Sequence, residues 1–135
     1  MLCGSTLSKP RVLLVDDNQA ILDCLVRMLS RDYTIVGAIQ DGPRMLDVVA
    51  ILKPDVVVMD ISMPEMSGLE LARLLKQNPP APPVVFVTVH EDTEFREAAR
   101  DVGAAGYVVK STMETELKPA LERALKGVGF VVPSA

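Results

Sequence analysis

Four short apolar runs in this chain each stop at a residue able to do chemistry. Arg11-Val-Leu-Leu-Val15 ends at Asp16-Asp17, and Asp55-Val-Val-Val-Met59 ends at Asp60. Val84-Val-Phe-Val-Thr88 closes on a hydroxyl, and Ala105-Gly-Tyr-Val-Val109 on Lys110. If these runs are parallel strands, their carboxyl ends share one edge of the sheet, where open α/β sheets bind ligands. Three carboxylates gathered there repel one another unless a divalent cation lies between them. Oxygen-only donors select a hard ion; Mg2+ keeping several waters suits them best, with Mn2+ as a substitute. A metal beside a carboxylate, a lysine and a hydroxyl is the equipment of phosphoryl transfer, which needs mainly positioning and charge neutralisation. In that chemistry Asp60 is the nucleophile, forming an acyl phosphate, and Lys110 and the metal spread the transferred charge.

Taken singly, these residues have plainer readings. Asp60 could merely end a strand and solvate a loop, Thr88 could be an ordinary strand residue, and Lys110 a solvated strand end. Their occurrence together, each after a strand, is what points to a site.

The elements that must position them alternate regularly. The runs before Asp16, Asp60, Thr88 and Lys110 are continuously apolar and rich in valine, the pattern of strands buried on both faces. Tyr33-Thr-Ile-Val-Gly-Ala-Ile39 adds a further strand. Between them lie helical patterns. Asn18 can cap a helix carrying Ile21, Leu22, Leu25, Met28 and Leu29 at helical spacing. Pro43 can start a second helix, with Met45, Leu46, Val48, Val49 and Leu52, which stops at Lys53-Pro54. After the breakers Pro64 and Gly68, Leu69, Leu71, Ala72, Leu74 and Leu75 mark a third, halted before Asn78-Pro-Pro-Ala-Pro-Pro83. A fourth helix places Phe95, Ala98, Ala99 and Val102 on one face and stops at Gly103; having few large anchors, it should be loosely held. The last has Leu117, Leu121, Ala124, Leu125 and Val128 on its inner stripe. Five-fold βα alternation with right-handed crossovers gives a doubly wound five-stranded parallel sheet with helices on both faces.

At 135 residues the chain fits one domain with one core, residues 10–130, preceded by an arm over 1–9 and followed by a tail or linker start over 131–135. Hydrophobic residues make up 49% and charged ones 24%, an ordinary globular balance. A net charge of −4 argues against binding nucleic acid by phosphate neutralisation, so DNA contact would need another domain. No apolar run approaches the roughly 20 residues needed to span a bilayer, and the first ten residues do not read as a signal peptide. Cys3 in the arm and Cys24 in a helical pattern look like a tail residue and a small core hydrophobe, consistent with a reducing cytoplasm. His90, the single histidine, cannot build a zinc site.

Together these residues resemble a two-component response regulator receiver domain. The resemblance rests on Asp16-Asp17 after the first strand, Asp60 after the third and Thr88 after the fourth, with Tyr107 and Lys110 around the fifth. The Met63-Pro-Glu-Met-Ser-Gly68 run is typical of the family too. It implies a flavodoxin-like strand order 2-1-3-4-5 and transfer of phosphate to Asp60 from a sensor histidine kinase or phosphotransfer protein. It also implies Mg2+ held by Asp17, Asp60 and the Ser62 carbonyl, with Asp16 helping through water. Lys110 would pair with the phosphoryl group, Thr88 would hydrogen-bond it, and Tyr107 would swing inward as Thr88 moves. Such a domain self-phosphorylates and slowly self-dephosphorylates but is not otherwise an enzyme, and a homodimer can form on phosphorylation.

The Gly106-Tyr-Val-Val-Lys-Ser111 run is most similar to the NarL/FixJ (LuxR-type) subfamily, whose members continue into a DNA-binding domain. Ser111 stands where many receivers have proline. An output domain outside this chain is therefore expected, with a stand-alone receiver as the alternative. A haloacid-dehalogenase-type phosphohydrolase would need a second acid two residues after Asp60, where this chain has Ser62. Ser62 and His90 each lie two residues past a site residue, near the path of an attacking water, and are expected to modulate dephosphorylation. His90 is expected to obstruct that water.

Overall fold

The computed structural model describes residues 8–128. Cys3, most of the expected arm and the expected tail lie outside the described residues. The elements alternate as β1 (Arg11–Val15), α1 (Gln19–Leu29), β2 (Thr34–Ile39), α2 (Met45–Leu52), β3 (Val56–Met59), α3 (Gly68–Lys76), β4 (Val84–Thr88), α4 (Thr93–Asp101), β5 (Gly106–Val109) and α5 (Met113–Leu125). A short 3-10 turn, Lys110–Thr112, joins β5 to α5. All strand pairs are parallel, and the sheet order is β2-β1-β3-β4-β5.

The continuous apolar runs are buried on both sides, as strands covered by helices must be. On one face Val12, Leu14, Val56, Val58, Val85, Val87 and Val108 pack beneath α1 and α5. On the other, Leu13, Val15, Val57, Met59, Phe86 and Val109 pack beneath α2, α3 and α4. Leu22, Leu25 and Leu29 of α1 are buried, each contributing roughly 1.5–3 kcal/mol by leaving water. Asn18 caps α1 as expected, accepting from the amides of Ala20 and Ile21. Cys24 is half-buried against the first face. Only Ala99 of α4 is fully buried, in keeping with its few anchors. Among the described residues no helix is long and apolar enough to cross a membrane.

Two expectations shift. Pro43 does not begin α2. The Arg44 amide donates to Asp41 Oδ1 at 3.3 Å and the Met45 amide to the Gly42 carbonyl at 2.9 Å, so an Asx-type turn precedes the helix. Val128 is not on the inner stripe of α5. The helix ends at Leu125, Gly127 turns with a φ of 75°, and Val128 is left 46% exposed.

Candidate functional site

Strand register assembles the site. Val15 pairs with Met59, so the next residues, Asp16 and Asp60, emerge side by side where the order switches between β1 and β3. The Asp60 amide donates to the Val15 carbonyl at 3.1 Å, fixing that step. Thr88 pairs with Val109, so Lys110 follows at the neighbouring strand end. Loop residues complete the edge. Ser67 caps α3, and Gly68 starts it in close contact with the backbone of Asp60 and Ile61.

The side chains converge. Carboxylate oxygens of Asp16, Asp17 and Asp60 lie within 4.8 Å of one another. Lys110 Nζ donates to Asp60 Oδ2 at 3.1 Å and pairs with Asp16 Oδ2 at 3.0 Å. Asp60 Oδ1 accepts the Ile61 amide at 2.7 Å and, longer, the Ser62 amide at 3.4 Å. Asp16 Oδ1 accepts the Asn18 amide at 2.9 Å. Asp16, Asp60 and Thr88 are the buried polar side chains among the described residues, while Asp17 is exposed.

Burial sets the electrostatics. It raises the Asp16 carboxyl above its ordinary value, against the opposing pull of the Asn18 amide and Lys110. Burial alone would lower Lys110, but its bonds and charge contacts with Asp16 and Asp60 prevail, and it is raised. The ammonium gains two carboxylate neighbours, whereas Asp16 shares that one ammonium with a like charge. One ammonium against three carboxylates leaves an excess of negative charge, and the oxygen donors fit a hard divalent cation.

A second group of contacts joins the residues that follow β3 and β4 to β5. Ser62 Oγ and His90 Nε2 share a hydrogen bond of 2.6 Å. The His90 amide donates to Thr88 Oγ1 at 3.3 Å, and Tyr107 Oη donates to the His90 carbonyl at 2.7 Å. Tyr107 is therefore already inward, 7% exposed, in this conformation. Next to Asp17 and Ser62 opens a cavity of about 540 Å³ whose lining also includes Met63, Pro64 and Phe95.

Sequence reasoning assigned no site role to four participants. The amides of Asn18 and Ile61 hold the acids, Phe95 stacks on His90, and Arg96 lies over the Tyr107 ring at 4.9 Å from its centroid. Phe95 read as an apolar helix anchor because its partner lies outside any helical period.

Residues 12–122 match the family described as response regulator receiver domain. Among curated proteins, the chain is 36% identical over 125 residues to the response regulator GacA of Pseudomonas aeruginosa, covering 91% of this chain and 58% of that protein. It is 33% identical over 125 residues to the transcriptional regulatory protein YdfI of Bacillus subtilis, with the same coverages of 91% and 58%. The chain thus spans about half the length of the curated relatives it matches. Among solved structures, a LuxR-family two-component response regulator from Aurantimonas sp. superposes with a TM-score of 0.86 at 32% identity, covering 93% of this chain and 91% of that one. The receiver domain of NarL from Mycobacterium tuberculosis gives 0.83 at 30% identity, covering 89% and 98%.

Proposed function

The chain belongs to the response regulator receiver domain family, and from that premise we propose that Asp60 is the phosphoacceptor of a signalling switch. The observation that carries this reading is a buried carboxylate 3.1 Å from a lysine ammonium, with two further carboxylates within 4.8 Å. An Asp60 carboxylate oxygen attacks the phosphorus of a kinase's or phosphotransfer protein's phosphohistidine. The P–N bond breaks, and the imidazole leaves with the electron pair. Asp17, Asp60 and the Ser62 carbonyl, with Asp16 through water, would hold a Mg2+ ion, or Mn2+ in its place, which would supply neutralisation of phosphoryl charge. Lys110 exchanges its contact with Asp60 for one with the phosphoryl group, and Thr88 donates its hydroxyl to it.

Thr88 and Tyr107 are the switch pair. Movement of Thr88 toward the phosphoryl group pulls on the His90 amide, and through the His90 carbonyl on the hydroxyl of Tyr107. Ser62 and His90 modulate the return step, attack of water on the phosphorus. The chain phosphorylates and slowly dephosphorylates itself but turns over no other substrate. The same proposal places the receiver at residues 10–130, in the cytoplasm, with dimerisation on phosphorylation and DNA contact through an output domain outside this chain.

Intact mass after treatment with acetyl phosphate and Mg2+ tests this. One added phosphate on wild type and none on Asp60→Asn is expected. Steady release of phosphate from other substrates would favour a hydrolase, and no uptake at all a docking module.

A further inference from the structure

His90 is gripped from several sides. Its ring stacks on Phe95, centroids 4.0 Å apart and planes 14° apart, while its Nε2 bonds Ser62 Oγ at 2.6 Å. Its backbone is held by Thr88 Oγ1 and by the Tyr107 hydroxyl. The backbone contacts fix where the loop runs but not how the imidazole turns. A hydrogen bond from a partly exposed imidazole to an exposed serine competes with water and cannot hold a ring rotamer alone. The stack can, because it restricts both the plane and the position of the imidazole. Phe95 is itself anchored, half-buried against the core beneath α4, and it lines the cavity beside Asp17 and Ser62. The imidazole of the loop after β4 thereby bridges Phe95 of α4 and Ser62, the residue two positions beyond Asp60.

We infer that Phe95 is a positioning residue that lengthens the life of the phosphorylated state by holding the His90 ring against Ser62. This rests on the reading that Asp60 carries the phosphoryl group. Dephosphorylation bonds a water oxygen to phosphorus. The bond between phosphorus and the Asp60 oxygen breaks, its electron pair returning to the carboxylate, and the water proton passes to the departing phosphate or solvent. A ring clasped to Ser62 stands across one approach for that water. Loss of the stack frees the ring and opens the approach.

The test follows loss of phosphate, after removal of acetyl phosphate, in wild type, Phe95→Leu, Phe95→Tyr, His90→Ala and the Phe95→Leu/His90→Ala double variant. Phe95→Leu should shorten the lifetime roughly three- to tenfold, the scale of one lost aromatic contact. Phe95→Tyr should restore it, and in the His90→Ala background Phe95→Leu should add nothing. The sequence has one histidine, so its imidazole NMR signals are unambiguous. Their ring-current shift should vanish in Phe95→Leu and persist in Phe95→Tyr, with denaturant midpoints confirming that each variant folds. An unchanged lifetime in Phe95→Leu, or equal shortening with and without His90, overturns the inference while leaving Asp60 as acceptor. A wild-type chain that takes up no phosphate overturns the Asp60 reading, and this one with it.

Discussion

Gly68 meets the carbonyl of Asp60 so closely that a side-chain carbon on the glycine would lie 2.1 Å from that oxygen. The Gly68 amide also donates to the Ile61 carbonyl at 2.7 Å, so the first residue of α3 is clamped to the strand end that presents the central carboxylate. The glycine is required by proximity to backbone, which cannot swing aside as a flexible side chain would.

Gly68→Ala is therefore expected to destabilise the fold by about 1–3 kcal/mol, despite alanine's better helix propensity. It should also slow phosphorylation, because Asp60 or α3 must shift. Urea midpoints and acetyl phosphate kinetics on the same preparations check both; a variant as stable and as reactive as wild type refutes the clamp.

Lys110 is the ammonium that pairs with both Asp16 and Asp60. Lys110→Met leaves those carboxylates facing each other without it. Without divalent ions we expect a loss of about 2–3 kcal/mol, below the full penalty of a buried pair because the pocket is open to water. Adding Mg2+ should restore more stability to this variant than to wild type. Thermal melts with and without the ion measure the difference, and an equal gain in both counts against the electrostatic account.

Asp17 is the exposed member of the acidic cluster and the one most available to an ion arriving from solvent. Asp17→Ala should abolish Mg2+ binding in calorimetry and slow phosphorylation sharply, since too few oxygen ligands remain for an ion that dehydrates reluctantly. If it titrates with Mg2+ as wild type does, the ligand assignment is wrong.

The sequence holds two tyrosines and no tryptophan, so tyrosinate absorbance reports them cleanly. Burial raises both Tyr33 and Tyr107 above the ordinary 10.0. A raised folded value means the native state holds the phenolic proton more tightly than the unfolded chain. The stability linked to each is fully present below pH 10.0 and is lost as pH rises through the folded value. Tyr33→Phe should therefore lose less stability than wild type across that alkaline range, and parallel curves would contradict the assignment.

Phe86, in β4, is fully buried on the face beneath α2, α3 and α4. Phe86→Ala should cost about 3–5 kcal/mol through lost transfer and the cavity left behind. A chemical denaturation midpoint within error of wild type would mean the core collapses around the gap.

The amino-acid sequence alone determined what depends on neighbours along the chain. Valine runs without polar alternation required burial on both faces, and so a helix-covered parallel sheet with acids at its carboxyl edge. Asn18 before an apolar helical stripe fixed the start of α1. Tertiary structure decided which of those ends touch. Lys110 meets Asp60 across fifty residues, Ser62 meets His90 across 28, and Tyr107 reaches the His90 carbonyl across 17. Strand register and loop path set those distances, and a local hydrophobic period encodes neither. The same limit explains the smaller shifts. Whether Pro43 begins a helix depended on Asp41 first capturing the Arg44 amide, and the fate of Val128 on Gly127 turning the chain away. The Phe95–His90 stack was hidden for the same reason: helical spacing marks Phe95 as apolar, but only the packing of α4 against the sheet edge puts an imidazole in front of it.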